Sequence, residues 1–211
     1  IFGAFLNEFG AGDYFNRLAN ALTRNSCGGP AKAAVIASAL LGLINGSAVA
    51  NVATTGAVTI PLMKRNGYPA EFAAATETAA SMGGQILPPV MGSSVFLMAS
   101  FVNMTYNQIC LYAIAPAILY FVSIFIAVHF KAKKLHLEAG AGFDKNDTGS
   151  LGRIFLSGIH FVIAIAVLVF TMVYGWTPQR CGMLAILSII VGSLFRKETR
   201  VGPKRMCKAL I

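Results

Sequence analysis

Five side chains between residues 45 and 55 could do chemistry, and none is charged. Asn45, Ser47, Asn51, Thr54 and Thr55 place hydroxyl and amide groups inside sequence that is otherwise apolar, from Ala33 to Leu43 before them and Ala57 to Met63 after, and Gly46 lets the chain turn and expose backbone carbonyls. Neutral oxygens in this number suit a hard monovalent cation, which takes several oxygens without needing a carboxylate cage. A second patch follows at Gly83, Gly84 and Gln85 with Pro88 and Pro89. Adjacent prolines each remove a backbone donor and clash with the preceding turn, so this patch reads as a break in a helix that frees carbonyls. Na⁺ held at Asn45, Ser47 and Gly84 is the expected use of the two patches together, with the freed carbonyls able to coordinate an ion and the Gln85 amide offering both donor and acceptor to ion or substrate. Glu77 is the one carboxylate deep in an apolar stretch, about 9 Å beyond Glu71 at helical rise. A charge there costs about 2.5–3.5 kcal/mol on insertion scales, so Glu77 must face protein or water. It is a candidate for coupling or gating, or an acid that bonds neighbouring amides. Ser38 and Thr59 read as small residues that let helices approach closely.

The elements that must position these groups follow from composition. The 211 residues are 56% hydrophobic and 12% charged, with a mean hydropathy of +0.67, whereas soluble domains carry about 25% charged residues. This is membrane-protein composition. The net charge of +9 comes from Lys and Arg in short loops flanking apolar spans, a topology signal, and no aromatic–basic platform for stacked bases accompanies it, which argues against nucleic acid as a partner. Cys27, Cys110, Cys181 and Cys207 lack CxxC or Cys/His ligand spacing, so neither a structural disulfide nor zinc is expected. His129, His136 and His160 are scattered and read as interfacial or solvated side chains. The chain opens on Ile1 within an apolar segment, has no signal-peptide pattern, and reads as a piece of a longer polypeptide.

In order, residues 1–30 read as the end of one helix, then an amphipathic helix over 14–25 with Asp13 as its N-cap, lying along the membrane surface. Residues 31–63 hold two short apolar pieces around the polar patch; 14 residues rise only about 21 Å, less than the ~30 Å hydrocarbon core. Residues 69–102 read as a broken transmembrane helix, with pieces over about 70–83 and 90–102. Residues 109–130 are a full span kinked at Pro116, residues 131–153 a charged loop, and residues 154–211 two further spans, 154–174 and 180–195, with a basic tail.

Charge parity decides whether 31–63 crosses or turns back. If it turns back, Arg17, Arg24, Lys32, Lys64, Arg65, Lys131, Lys133, Lys134 and the cluster from Arg196 to Lys208 all fall on one side, with Arg180 alone near the other. A full crossing would split them. The segment is therefore expected to be a re-entrant helical hairpin. Non-helical backbone at membrane depth survives only inside protein or along a wet cavity, so the hairpin implies a transport site or, alternatively, a passive channel with a re-entrant selectivity loop. No HExxH or GxSxG motif is present and Glu77 has no catalytic partner in sequence, so an enzyme is not expected.

The run Gly42-Leu43-Ile44-Asn45-Gly46-Ser47-Ala48-Val49-Ala50-Asn51 with Gly56, the exit Ile60-Pro61-Leu62-Met63-Lys64-Arg65-Asn66-Gly67-Tyr68, and Gly83-Gly84-Gln85-Ile86-Leu87-Pro88-Pro89 form an ordered set. Together they resemble the large, DctM-like permease subunit of tripartite ATP-independent periplasmic (TRAP) transporters. Asn45-Gly46-Ser47-Ala48 in place of Ser-Gly-Ser-Ser, and a carboxylate at Glu77, resemble the TAXI-type branch, in which the small and large membrane subunits are often fused. The resemblance implies an all-α polytopic protein of the bacterial or archaeal inner membrane, holding one half of an inverted-repeat elevator transporter. It implies a periplasmic substrate-binding protein and a small membrane subunit as partners, contact with membrane lipid, Na⁺ or H⁺ as coupling ion, no cofactor, and uptake of an organic acid. A second hairpin and a second broken helix are expected in sequence outside this chain.

Overall fold

In a computed structural model of the chain, residues 3, 5, 6, 9–137 and 151–194 are described. The rest of the expected charged loop (138–150), the basic tail (195–211) and residues 1, 2, 4, 7 and 8 lie outside them. All regular structure among the described residues is helical.

Helix α1, Ala11–Thr23, begins after Gly10, whose φ of 86° places it in the left-handed region that glycine tolerates. Asp13 therefore stands in the first turn and not at the N-cap where the sequence put it. Helices α2, Gly29–Asn45, and α3, Ala48–Arg65, follow with only Gly46 and Ser47 between them. This corrects the expectation of a long polar tip: nearly all of 45–56 is helical. The turn is sharp because Gly46 adopts φ 57° and Ser47, in extended conformation, accepts a hydrogen bond on its Oγ from the backbone N–H of Ala50 at 3.4 Å, the N-cap arrangement that serine favours. A two-residue connection leaves α2 and α3 no alternative but to lie antiparallel, and Ser38 and Thr55, both fully buried, meet across the pair at 3.2 Å.

Helix α1 runs back along α2. Ala19 packs with Ala33 and Ala37, and Tyr14 and Phe15 share a core with Leu41 and Ile44. Its apolar face is covered by α2, whose alanines allow close approach.

Helix α4, Ala70–Gly83, packs on both arms of the hairpin and ends at the Gly83–Gly84 pair. Irregular chain occupies 84–93, with a cis peptide between Pro88 and Pro89, before α5, Ser94–Val102. The second piece of the broken helix thus starts at 94 and not at 90, because the turn at Met91–Gly92 extends the break; Gly92 N–H donates to the Gln85 carbonyl at 2.7 Å. Helix α6, Tyr106–Lys134, is 29 residues long, about 43 Å at helical rise. It is the only helix among the described residues that is long and apolar enough to cross a membrane. Gln108 accepts the Thr105 backbone N–H at 3.0 Å, which helps to start it.

The third expected span is divided: α7, Leu151–Ser157, gives way at Gly158 to α8, Ile159–Val173. A Cβ at Gly158 would run into the Tyr14 ring, so the break lies where α1 presses on this segment. Helix α9, Pro178–Leu194, returns along α8 and completes the core that Phe161, Ala164 and Ile189 share with α1.

Contacts along α6 fix the layout. Lys131 Nζ lies 5.4 Å from the Phe72 ring centroid, Tyr120 OH donates to the Ala79 carbonyl at 2.8 Å, and Tyr106 OH lies within 2.9 Å of the Pro89 carbonyl. The segment α4–break–α5 therefore runs antiparallel to α6 over its length. The hairpin base sits by the C-terminal end of α6, where Ala31, Met63, Tyr68 and Ala132 form one cluster. Its tip meets Met91, which touches Cys110 near the N-terminal end of α6.

Candidate functional site

The polar residues fall into three places. The first is a buried cluster halfway along the hairpin. Ser38 lies about 14 Å along α2 from its start and Thr55 about 15 Å from the end of α3, at helical rise. Between them, from α4, comes Glu77, whose exposure is 0%. Glu77 Oε1 accepts from Ser38 Oγ at 2.9 Å, from Thr55 Oγ1, and from Ser81 Oγ at 3.3 Å; Oε2 accepts from Thr59 Oγ1. The bland reading of Ser38 and Thr59 is thus corrected, since both hydroxyls bond the carboxylate. Thr55, Thr59 and Glu77, Ser81 are i, i+4 pairs, which place each pair on one helix face. That spacing, in otherwise alanine-rich faces, was the available signal. Among the described residues, hydroxyls and not amides bond Glu77, and no basic side chain is among its partners.

The second place is the junction of the hairpin with the helix break. A Cβ at Gly42 would fall 2.6 Å from Gly84 Cα, and one at Gly84 would fall 3.3 Å from Asn51 Nδ2. Two glycines let the backbones of α2 and the α4 end meet here, as small residues do in membranes. Asn51 is fully buried at this junction. Its Nδ2 donates to the Ser38 carbonyl at 2.8 Å, while Oδ1 has no partner among the described residues. An unpaired buried amide oxygen costs about 1–3 kcal/mol and calls for a ligand or water. Asn45, at the end of α2, accepts the Ser47 N–H on Oδ1 at 3.2 Å, and its Nδ2 has no partner among the described residues. Gly46 is pinned against the Met91 carbonyl. Of the expected Na⁺ ligands, Asn45 and Ser47 are at the tip, and Gly84 lies one turn away beside Gly42 and Asn51.

The third place separates residues that the sequence grouped with these. Thr54 Oγ1 donates back to the Ala50 carbonyl at 2.8 Å and its methyl faces Gly12 of α1, away from Glu77. Gly83 packs on the rings of Tyr120 and Phe121. Gln85 extends toward Met82, with Nε2 3.9 Å from Sδ. Pro88 and Pro89 line an apolar cavity of about 400 Å³ with Asn107, Cys110 and Met172, and the Pro89 carbonyl is engaged by Tyr106. Among the described residues, no group of His, Cys, Asp and Glu is arranged to hold a transition metal.

A family model described as the Tripartite ATP-independent periplasmic transporter, DctM component, matches residues 1–211. A putative TRAP transporter large permease protein of Haemophilus influenzae is 27% identical over 194 residues, 92% of this chain and 44% of that protein. The C4-dicarboxylate TRAP transporter large permease protein DctM of Pseudomonas aeruginosa is 25% identical over 200 residues, covering 94% and 46%. The 2,3-diketo-L-gulonate TRAP transporter large permease protein YiaN of Escherichia coli is 23% identical over 198 residues, covering 93% and 45%. The chain spans a little under half the length of these relatives.

Proposed function

Because this chain belongs to the DctM component family of tripartite ATP-independent periplasmic transporters, a family of transporters and not enzymes, we propose that it supplies one half of the ion and substrate site of an ion-coupled organic-acid permease in the inner membrane. The observation that carries this reading is the buried, unpartnered Oδ1 of Asn51 at the junction where the hairpin meets the broken helix. A small cation there gains the Asn51 oxygen and oxygens from the adjoining tip, with Asn45, Ser47 and the Gly84 backbone as further ligands. Na⁺ fits such a neutral oxygen set.

The hairpin reading is supported by helix length and by charge. At 17 and 18 residues, α2 and α3 rise about 26 Å, short of the ~30 Å core. Lys32, Lys64, Arg65, Lys131, Lys133 and Lys134 are all on the base end, the distribution expected of a segment that leaves by the face it entered. Such a hairpin beside a broken helix is the arrangement of an elevator-type carrier whose second, inverted pair lies outside this chain. A periplasmic binding protein delivers the substrate, and a small membrane subunit, separate or fused as in TAXI-type permeases, completes the assembly. The named substrates of the two characterised relatives above, a C4-dicarboxylate and 2,3-diketo-L-gulonate, are organic acids, which favours that class here.

The test is uptake by the full-length protein in proteoliposomes with its binding protein, titrated with Na⁺ at fixed pH. Asn51→Ala is expected to raise the half-saturating Na⁺ concentration about tenfold, as loss of one ligand worth about 1.4 kcal/mol does. An unchanged titration curve would remove Asn51 from the ion site. Uptake that needs neither an ion gradient nor the binding protein would replace the carrier with a channel.

A further inference from the structure

The hydroxyl cluster around Glu77 has a property that ordinary packing does not require. Thr55 Oγ1 reaches two acceptors, the Asn51 carbonyl at 2.9 Å and Glu77 Oε1. Thr59 Oγ1 likewise reaches the Thr55 carbonyl at 3.0 Å and Glu77 Oε2. A hydroxyl has one proton, so it serves one of these acceptors at a time. With Glu77 ionised, the protons of Ser38, Thr55, Thr59 and Ser81 all point at the carboxylate, which then accepts four hydrogen bonds. With Glu77 protonated, its new O–H on Oε2 donates to Thr59 Oγ1, and the Thr59 proton turns to the Thr55 carbonyl. Both states keep every partner without moving a heavy atom.

We infer that Glu77 and the hydroxyls of Ser38, Thr55, Thr59 and Ser81 form a proton-binding site whose occupancy opposes cation binding at Asn51. Among the described residues, no other titratable or charged side chain bonds Glu77 from the helices around it, and Tyr120 of α6 gives its OH to the Ala79 carbonyl. On α2 the cation is Lys32, on α3 Lys64 and Arg65, on α4 Glu71, and on α6 His129, Lys131, Lys133 and Lys134, all toward the hairpin base. Asp13, Arg17 and Arg24 belong to α1 and its end, where α1 packs on α2 through Ala19, Ala33 and Ala37.

Asn51 ties this site to the junction. Its carbonyl is the alternative acceptor for Thr55, and its Nδ2 bonds the carbonyl of Ser38, whose hydroxyl bonds Glu77. A cation on the Asn51 oxygen is attracted by the ionised carboxylate and repels the proton, so each ligand weakens the other by the same factor. This linkage, though not the proton site itself, rests on the cation site proposed above.

The experiment is infrared difference spectroscopy of the full-length protein in lipid nanodiscs, titrated from acid to alkaline pH in choline chloride and again in sodium chloride, with Na⁺ binding measured separately by calorimetry. A protonated-carboxyl band is expected that Glu77→Gln abolishes, that Thr59→Val shifts in frequency, and that Na⁺ diminishes. Na⁺ affinity is expected to fall by up to about tenfold per pH unit of acidification, and Glu77→Gln is expected to flatten that slope. Thr59→Val retains the carboxyl and keeps the assignment testable if the Gln variant does not fold. A band unchanged in both variants would overturn the proton site. A Glu77 band indifferent to Na⁺ in a protein that binds Na⁺ would overturn the linkage. A Glu77 band in a protein that binds no Na⁺ at any pH would leave the proton site standing and refute the cation site instead.

Discussion

Replacing Thr59 with valine tests the geometry of the Glu77 cluster through stability alone. Valine has the shape of threonine without the hydroxyl, so packing on α3 is retained and one donor is lost. Among the described residues, Thr59 alone bonds Glu77 Oε2, whereas Oε1 is bonded by Ser38, Thr55 and Ser81. Hydrogen bonds to charged groups contribute about 1.5–3 kcal/mol, and neutral ones about 1. Thr59→Val is expected to destabilise by about 1.5–3 kcal/mol, a 10- to 150-fold change in the unfolding equilibrium. Thr55→Val leaves Oε1 two donors and is expected to cost about 1 kcal/mol. Thr54→Val removes a hydroxyl that bonds only the Ala50 carbonyl, and should fall within about 0.5 kcal/mol of wild type. Reversible denaturation of the full-length protein in mixed micelles measures all three. A Thr59 variant no less stable than the Thr55 variant would refute the one-donor account of Oε2.

Gly42→Ala places a methyl 2.6 Å from the Gly84 backbone in a buried contact. It should cost about 1–3 kcal/mol by overpacking, less up to about 1 kcal/mol regained in helix propensity, read as a lower denaturation midpoint. Gly46→Ala must hold φ 57° and press on the Met91 carbonyl, so it is expected to be the more damaging of the two in the same assay. Tyr106→Phe removes the hydroxyl that bonds the Pro89 and Val90 carbonyls. About 1 kcal/mol of stability should go with it, together with faster amide exchange at Gly92 and Val95, whose N–H groups hold the adjoining turns.

The turn between α2 and α3 was legible because Gly46 is a local signal, and the glycine pair with two prolines marked the end of α4 for the same reason. The extent of the polar tip was misjudged. Ser, Thr and Asn are poor predictors inside a packed helix, where tertiary contacts override their preference for turns, so residues 48–56 are helical despite their composition. Partners of Glu77 were read too narrowly, since whether Ser38 and Thr59 face a carboxylate depends on how two helices are rotated against a third. The separation of Thr54 from Thr55 is equally tertiary, one turning to Gly12 and the other to Glu77. The break at Gly158 reflects the Tyr14 ring more than a hundred residues away, and nothing near Gly158 in sequence announces it.

The central claim is that the hairpin and the broken helix form one ion-linked site. The most direct measurement is Na⁺ binding to the full-length protein in nanodiscs by calorimetry, comparing wild type with Asn51→Ala and Thr54→Val. Binding is expected to be about tenfold weaker in the Asn51 variant and of wild-type affinity in the Thr54 variant. Equal weakening in both, or none in the Asn51 variant, would contradict that claim.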